Sequence, residues 1–345
     1  MKINIFERHP IITQLISSIA ALAILLFCLE VGYRLVRGIV RSSSLQKSTV
    51  VSDKKLGWTL DTEMKKSFFL NKCGEQTIIS PYRHRLIVKF PKYKNKRTIL
   101  FIGDSSTQVA SVSTGRAYYD IFEELVKNSF SVYAAGVGGY GNLQEYLMLN
   151  EIYDEIKPDI VLWQHDNNDI SNNVYELDNS SFYNNQRPRP YLNLNNDSIE
   201  MKDPGFPLFD ISHGFRFLFY KILILDRKYN LGILRYLDSL IELDEETRTR
   251  KHKEGLEVLS RVLKLSMRNY PHTKFIGFCL GSDDGFKNIF ESNGAIYFNQ
   301  FGSKIYSIEG TNCKPLDSHL NHKGNRLAGE LMYNFFKQND LFNSE

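Results

Sequence analysis

The sequence predicts an α/β fold: a three-layer sandwich with a parallel sheet flanked by helices, preceded by one N-terminal transmembrane helix. Three observations carry this. From about residue 57, short apolar runs rich in β-branched residues alternate with helix-length stretches, the pattern of parallel strands joined by helical crossovers. Most of the strand-like runs close on a turn rich in Gly, Asp or Asn. Finally, Ile11–Leu29 is a run of 19 residues without a charge. At about 1.5 Å per residue, such a helix covers most of a hydrocarbon core about 30 Å thick.

The N-terminal element comes first. A cleaved signal peptide needs a small-x-small site at the end of its apolar run. Here Ala21-Leu22-Ala23 lies inside the run, with Ile24–Phe27 still to follow. Bulky Phe27 argues against a lipoprotein site at Cys28, and the terminal position argues against a buried core helix. The reading is an uncleaved anchor over residues 1–41, in which residues 30–41 form an amphipathic juxtamembrane continuation. Lys2 and Arg8 precede the span, whereas Arg34, Arg37, Arg41 and Lys47 follow it. By the positive-inside count, this favours a cytoplasmic C-terminal domain. Residues 42–56 are polar, rich in Ser and Lys, and read as a linker.

Residues 57–345 then hold the α/β domain. Expected strands are Thr98–Ile102, Ser131–Ala135, Ile160–Gln164, Lys274–Cys279 and Ala295–Phe298. Expected helices span 117–128, 143–156, 245–269 and 321–338. The stretch 171–244 breaks the rhythm with an Asn-rich part and then an aromatic part. It reads either as an insertion over the carboxyl edge of the sheet or as a packed helical subdomain with a loose loop.

Composition excludes several classes. The chain has 345 residues, 42% hydrophobic and 24% charged, which rules out disorder, collagen and coiled coil for the whole. Lys+Arg 43 against Asp+Glu 39 leaves +4, too little for a nucleic-acid partner. The 4 cysteines are too few for a disulfide scaffold. With Cys28 in the apolar run, Cys73, Cys279 and Cys313 remain, an odd set. A Cys279–Cys313 bond is open to a domain in an oxidising compartment.

In a parallel sheet the ligand site lies beyond the carboxyl ends of the strands. After the first expected strand comes Gly103-Asp104-Ser105, which places a serine on a strand-to-helix turn. Alone, it is equally a helix cap. After the second comes Gly136-Val137-Gly138-Gly139-Tyr140-Gly141, where glycines let backbone N–H groups approach a bound atom. Its spacing is not that of a dinucleotide fingerprint. After the third comes His165-Asp166-Asn167-Asn168-Asp169, whose Asn168 amide can donate to an oxyanion. Near the C-terminus lies Asp317-Ser318-His319, an acid placed to orient an imidazole. A rival metal reading groups His319, His322 and Asp317 with His165 or Asp169, but no second local ligand pair accompanies them. No metal and no cofactor is expected.

In order and position, these blocks resemble the SGNH/GDSL hydrolase superfamily. The resemblance runs from about residue 80 to 338, with a gap over 171–244. It implies the flavodoxin-like fold of that superfamily. It also implies Ser105 as nucleophile, His319 and Asp317 as base and acid, and Ser105, Gly139 and Asn168 as the oxyanion hole. There are departures: Ala134 replaces a frequent Asn, and Asp166 replaces the usual Gly. Asp-x-His is one residue shorter than in many members. With Asn321 and Gly324 after it, it resembles the alginate-type O-acetyltransferase branch, but anchored esterases share it.

The resemblance thus implies a membrane-anchored serine esterase acting on an acyl ester of a small molecule or an envelope carbohydrate. An O-acetyltransferase of an envelope polysaccharide and an inactive glycan-binding relative are the alternatives. Similar anchored proteins place the domain outside the cytoplasm, against the charge count above. Oligomeric state is not legible.

Overall fold

In the computed structural model, residues 49–343 are described except 71–72, 74, 181–186, most of 204–230, 283–284 and 315–316. Before residue 49 only Gln14, Ser17, Ser18, Ala21, Ile24 and Cys28 are described. The proposed anchor therefore lies almost wholly outside the described residues. Among those that are described, no helix is long and apolar enough to cross a membrane.

The chain divides into two compact units, one of residues 48–204 with 237–345, the other of residues 1–47 with 205–236. The first holds the sheet. Its strands are β1 Val50–Asp53, β2 Gly57–Leu60, β3 Ser67–Leu70, β4 Gln76–Ile79, β5 Ile87–Lys89, β6 Arg97–Gly103, β7 Phe130–Gly136, β8 Ile160–His165, β9 Arg189–Leu192, β10 Ile199–Lys202, β11 Lys274–Cys279 and β12 Ile296–Phe298. The helices that matter here are α1 Ser105–Gln108, α2 Tyr118–Val126, α3 Asn142–Ile156, α4 Asn168–Asn172, α5 Tyr175–Asn179, α6 Glu245–Asn269, α7 Phe286–Ser292, α8 Phe301–Tyr306 and α9 His322–Gln338.

The main sheet has the order β12-β11-β8-β6-β7-β5. Pairings from β12 to β7 are parallel, but β5 runs antiparallel to β7 with a register irregularity. The sheet is therefore mixed, a correction to the all-parallel expectation. Ile87–Lys89 is too short and too partly exposed to announce itself as a strand, and an edge strand is only half constrained by its neighbours. A second correction concerns residues 50–53. They fall in the stretch read as linker, yet form β1, paired with β2 in a hairpin.

The five parallel strands follow from their residues. Each is centred on apolar residues that are mostly buried on both faces, as parallel strands require. Alternate side chains enter opposite layers: Leu100, Ile102, Val161, Trp163 and Phe275 pack with α3, α6 and α7. Ile99, Phe101, Ile160, Leu162, Ile276 and Phe278 pack with α2, α8 and α9. This period of two makes the three layers.

Register then sets the site. Gly103 at the end of β6 pairs with Gly136 at the end of β7, Ile102 pairs with Trp163 of β8, and Cys279 at the end of β11 pairs with His165. From β6 the chain goes first to β7 on one side and then to β8 on the other. The carboxyl end of β6 is thus a topological switch point, where such sheets form a crevice.

Candidate active site

Ser105 is the first residue of α1, directly beyond that switch point. The turn is fixed by Asp104, which is buried and accepts from the Ser106 N–H at 2.9 Å. Only glycine fits at 103, since a Cβ there would stand 2.2 Å from Gln164 Oε1 and 2.6 Å from Thr107 Oγ1. Ser105 is left half-buried at the mouth of the crevice.

His319 and Asp317 come from the loop before α9, with His319 lying 214 residues away in sequence from Ser105. His319 Nε2 is 2.9 Å from Ser105 Oγ. Its Nδ1 is hydrogen-bonded to Asp317 Oδ1, which also accepts the His319 backbone N–H at 2.7 Å. The loop is anchored directly after His319. Ser111 Oγ donates to Leu320 O at 2.7 Å, and Asn321 caps α9 by accepting from Gly324 N at 3.1 Å. Gly324 is needed because a Cβ would stand 2.0 Å from Thr311 O.

Burial alone pulls the His319 pKa down. The hydrogen bond and charge of Asp317, with the charges of Asp104 and Asp166, outweigh it and raise the pKa above the ordinary histidine value. Asp166 lies beside Ser106, whose Oγ is 3.3 Å from Asp166 Oδ2. Burial first, and then the Asp104 charge, push its carboxyl up to about 6.

The glycine turn after β7 faces Ser105 from the other side. Gly138 is the residue against the serine: a Cβ there would be 3.5 Å from Ser105 Cβ. Its N–H is taken by Gln108 Oε1 at 2.7 Å. Gly139 has φ +82°, a conformation that favours glycine. Asn168 is exposed at the start of α4, where its Nδ2 is 3.3 Å from Asp104 Oδ2. The structure therefore brings Ser105, His319 and Asp317 into one hydrogen-bonded line. Gly138 lies beside Ser105, and the Asn168 amide and the Ser105 hydroxyl both lie 3.3 Å from Asp104 Oδ2.

The rival metal set is divided. His322 pairs with Glu75 at 3.6 Å. His165 and Asp169 lie fully buried with Glu145, and the three could supply atoms to one ion. However, the Asn142 amide nitrogen is at the centre of that cluster, 3.0 Å from Glu145 Oε2, 3.1 Å from His165 Nδ1 and 3.3 Å from Asp169 Oδ2. Asn142 Oδ1 accepts from Asn173 at 2.8 Å, which fixes the amide in that sense. Sequence reasoning missed this cluster. Glu145 and Asn142 read as ordinary helix positions, and the only signal was their three-residue spacing on α3.

The disulfide is a further correction. Cys73 bonds Cys313, not Cys279. Cys279 is buried in the strand end, with its sulfur 3.2 Å from Gly281 N. The partners are 240 residues apart, and no local signal reports such a pairing.

The recess beside Ser105 is small, about 10 Å³, and is lined by Val109, Ser111, Leu280 and Leu320 among others. That is room for about one water-sized group.

No protein-family model matches the chain, and no curated protein matches it. Among solved structures, it is similar to TesA at 10% identity, TM-score 0.39, over 70% of this chain and 99% of the other. It is similar to the psychrotrophic esterase EstA from Pseudoalteromonas sp. at 14% identity, TM-score 0.40, over 70% and 98%. A lipolytic protein of the G-D-S-L family from Desulfitobacterium hafniense is similar at 11% identity, TM-score 0.38, over 69% and 99%. Of these neighbours, the second is described as an esterase and the third as a lipolytic protein of the G-D-S-L family.

Proposed function

We propose that the protein is a serine ester hydrolase of the SGNH type, acting on a short acyl ester. One observation carries this reading: Ser105 Oγ lies 2.9 Å from His319 Nε2 while Asp317 holds the other ring nitrogen. That is nucleophile, base and orienting acid in hydrogen-bonded order. His319 removes the Ser105 proton as the oxygen attacks the ester carbonyl. Asp317 fixes the tautomer and stabilises the imidazolium. The N–H groups of Ser105 and Gly139 and the Asn168 amide donate to the tetrahedral oxyanion, each worth about 10²–10³ in rate. His319 then returns the proton to the leaving alkoxide, and water resolves the acyl-enzyme.

The small recess between Val109, Leu280 and Leu320 supports a short acyl group such as acetyl, whose methyl is about the size of a water. We propose an acylated envelope carbohydrate as substrate, with the chain held to the membrane by residues 1–41 and the domain outside the cytoplasm. The Cys73–Cys313 bond supports an oxidising compartment. An O-acetyltransferase would differ only in the acceptor. The test is the full chain incubated with an acetylated oligosaccharide and, separately, with an acetyl donor plus the unacetylated glycan. Release of free acetate supports the hydrolase. A glycan that gains acetyl mass with no acetate released supports the transferase. Failure of Ser105 to react with a serine-directed phosphonate defeats both.

A further inference from the structure

The turn that faces Ser105 has four N–H groups, at residues 138–141, and three are occupied. Gly138 N–H donates to Gln108 Oε1 at 2.7 Å, Tyr140 N–H to Val137 O at 3.2 Å, and Gly141 N–H to Gln144 Oε1 at 3.3 Å. Among the described residues, only the Gly139 N–H of this turn has no acceptor. Its direction is set by the peptide it belongs to, because C=O and N–H of a planar trans peptide point opposite ways. The carbonyl of that peptide, Gly138 O, accepts from the indole of Trp58 at 3.1 Å. Asn172 Nδ2, 3.4 Å from Gly139 O, holds the next carbonyl.

Trp58 belongs to β2, in the hairpin that precedes the sheet. It is almost fully buried. Its ring packs edge-on against Tyr140 at 5.5 Å, and the Arg187 and Arg189 guanidiniums sit over it at 5.4 and 5.2 Å. Tyr140 OH in turn donates to Trp58 O. The ring is therefore rigid, and its N–H is aimed at a single backbone oxygen. Glycine at 138 and 139 leaves the intervening peptide free to flip unless both of its ends are tied.

We infer that Trp58 is a positioning residue for the proposed ester chemistry. Its indole N–H clamps the Gly138–Gly139 peptide so that the Gly139 N–H is presented to the oxyanion, and Gln108 removes the competing Gly138 N–H. This rests on the serine-esterase reading. It adds a residue from outside the four sequence blocks.

The test is Trp58→Phe in the full chain, which keeps an aromatic ring between Tyr140 and the two arginines but removes the N–H. Rates are taken per active site, counted by the burst of p-nitrophenol from a slow ester. The expected result is kcat down about 10–100-fold, a fraction of one donor's worth. KM stays within about twofold and the acid limb of the pH profile is unmoved, since only transition-state binding is lost. Affinity for a boronic acid, which presents the tetrahedral oxyanion, falls by the same factor as kcat. Unchanged kcat per titrated site overturns the clamp. If Trp58→Phe does not fold, replacing the indole with the isosteric benzothiophene removes the N–H alone and is judged by the same numbers. Ser105→Ala is measured alongside, and activity surviving there defeats the serine reading rather than the clamp.

Discussion

His319 and His165 each stand beside an aspartate in the same unit, and their surroundings drive them to opposite states. His319 is partly exposed and bonded directly to Asp317, and its pKa rises. His165 is fully buried, with Nδ1 3.6 Å from Asp169, and burial pulls its pKa down to about 3. Asp169 does not help it. Burial, then the charges of Glu145 and Asp104, raise the Asp169 pKa well above the ordinary carboxyl value. A carboxyl raises a neighbouring histidine only while it is itself ionised. Burial thus favours the uncharged forms throughout the buried set, and the exposed pair is the one poised to exchange a proton.

The largest expected effect is on the exposed side. Ser105→Ala is expected to lower kcat by about 10⁴-fold or more with the fold intact, checked by turnover and circular dichroism. Next comes one substitution made twice. Asp317→Asn is expected to cost about 10³–10⁴ in kcat, because the amide no longer fixes the tautomer or stabilises the imidazolium. Asp169→Asn exchanges a carboxyl whose charged form burial disfavours for a near-isostere and is expected to change kcat by less than about tenfold. Equal losses in both variants would break the comparison.

Two pH effects follow. As the proposed base, His319 must be neutral, so turnover is expected to fall as pH drops through a value above 6.5, the ordinary histidine value from which its pKa is raised. In the buried set, burial first pushes the Glu145 carboxyl up to about 8. The native state therefore holds a proton that the unfolded state has released above the ordinary glutamate value of 4.5. Stability from this group falls as pH rises towards about 8. His165 gains stability only between about 3 and 6.5, so it does not offset the fall above that. Melting temperature is expected to decline from about pH 6.5 to 8, and Glu145→Gln to flatten the decline. The smallest effect is Asp166→Asn, which removes a negative charge near His319 and is expected to move the acid limb of the rate profile to lower pH.

What the sequence disclosed follows the same division. Strands such as Thr98–Ile102 and Ile160–Gln164 were readable because a strand buried on both faces must be apolar throughout. Ser105, Asp317 and His319 could be singled out because strand ends and the last helix locate them locally, and the family resemblance then implied their roles. The Asn142–Glu145–His165–Asp169 cluster, the Trp58 contact with Gly138 and the Cys73–Cys313 bond depend on partners 23, 80 and 240 residues apart. Local spacing reaches only pairs within one element, such as Asn142 with Glu145. The edge strand β5 and hairpin strand β1 were missed for a different reason: short, half-exposed strands lack the apolar continuity that marks the central ones.

The central claim is a covalent acyl-Ser105 formed with His319 as base. The direct measurement is mass spectrometry of the full chain quenched during turnover of p-nitrophenyl acetate, beside Ser105→Ala and His319→Ala. The account predicts acetyl on the peptide that carries Ser105 in the wild type and none in either variant. Rapid ester release with acetyl on another residue, or with Ser105→Ala as active as the wild type, would contradict it.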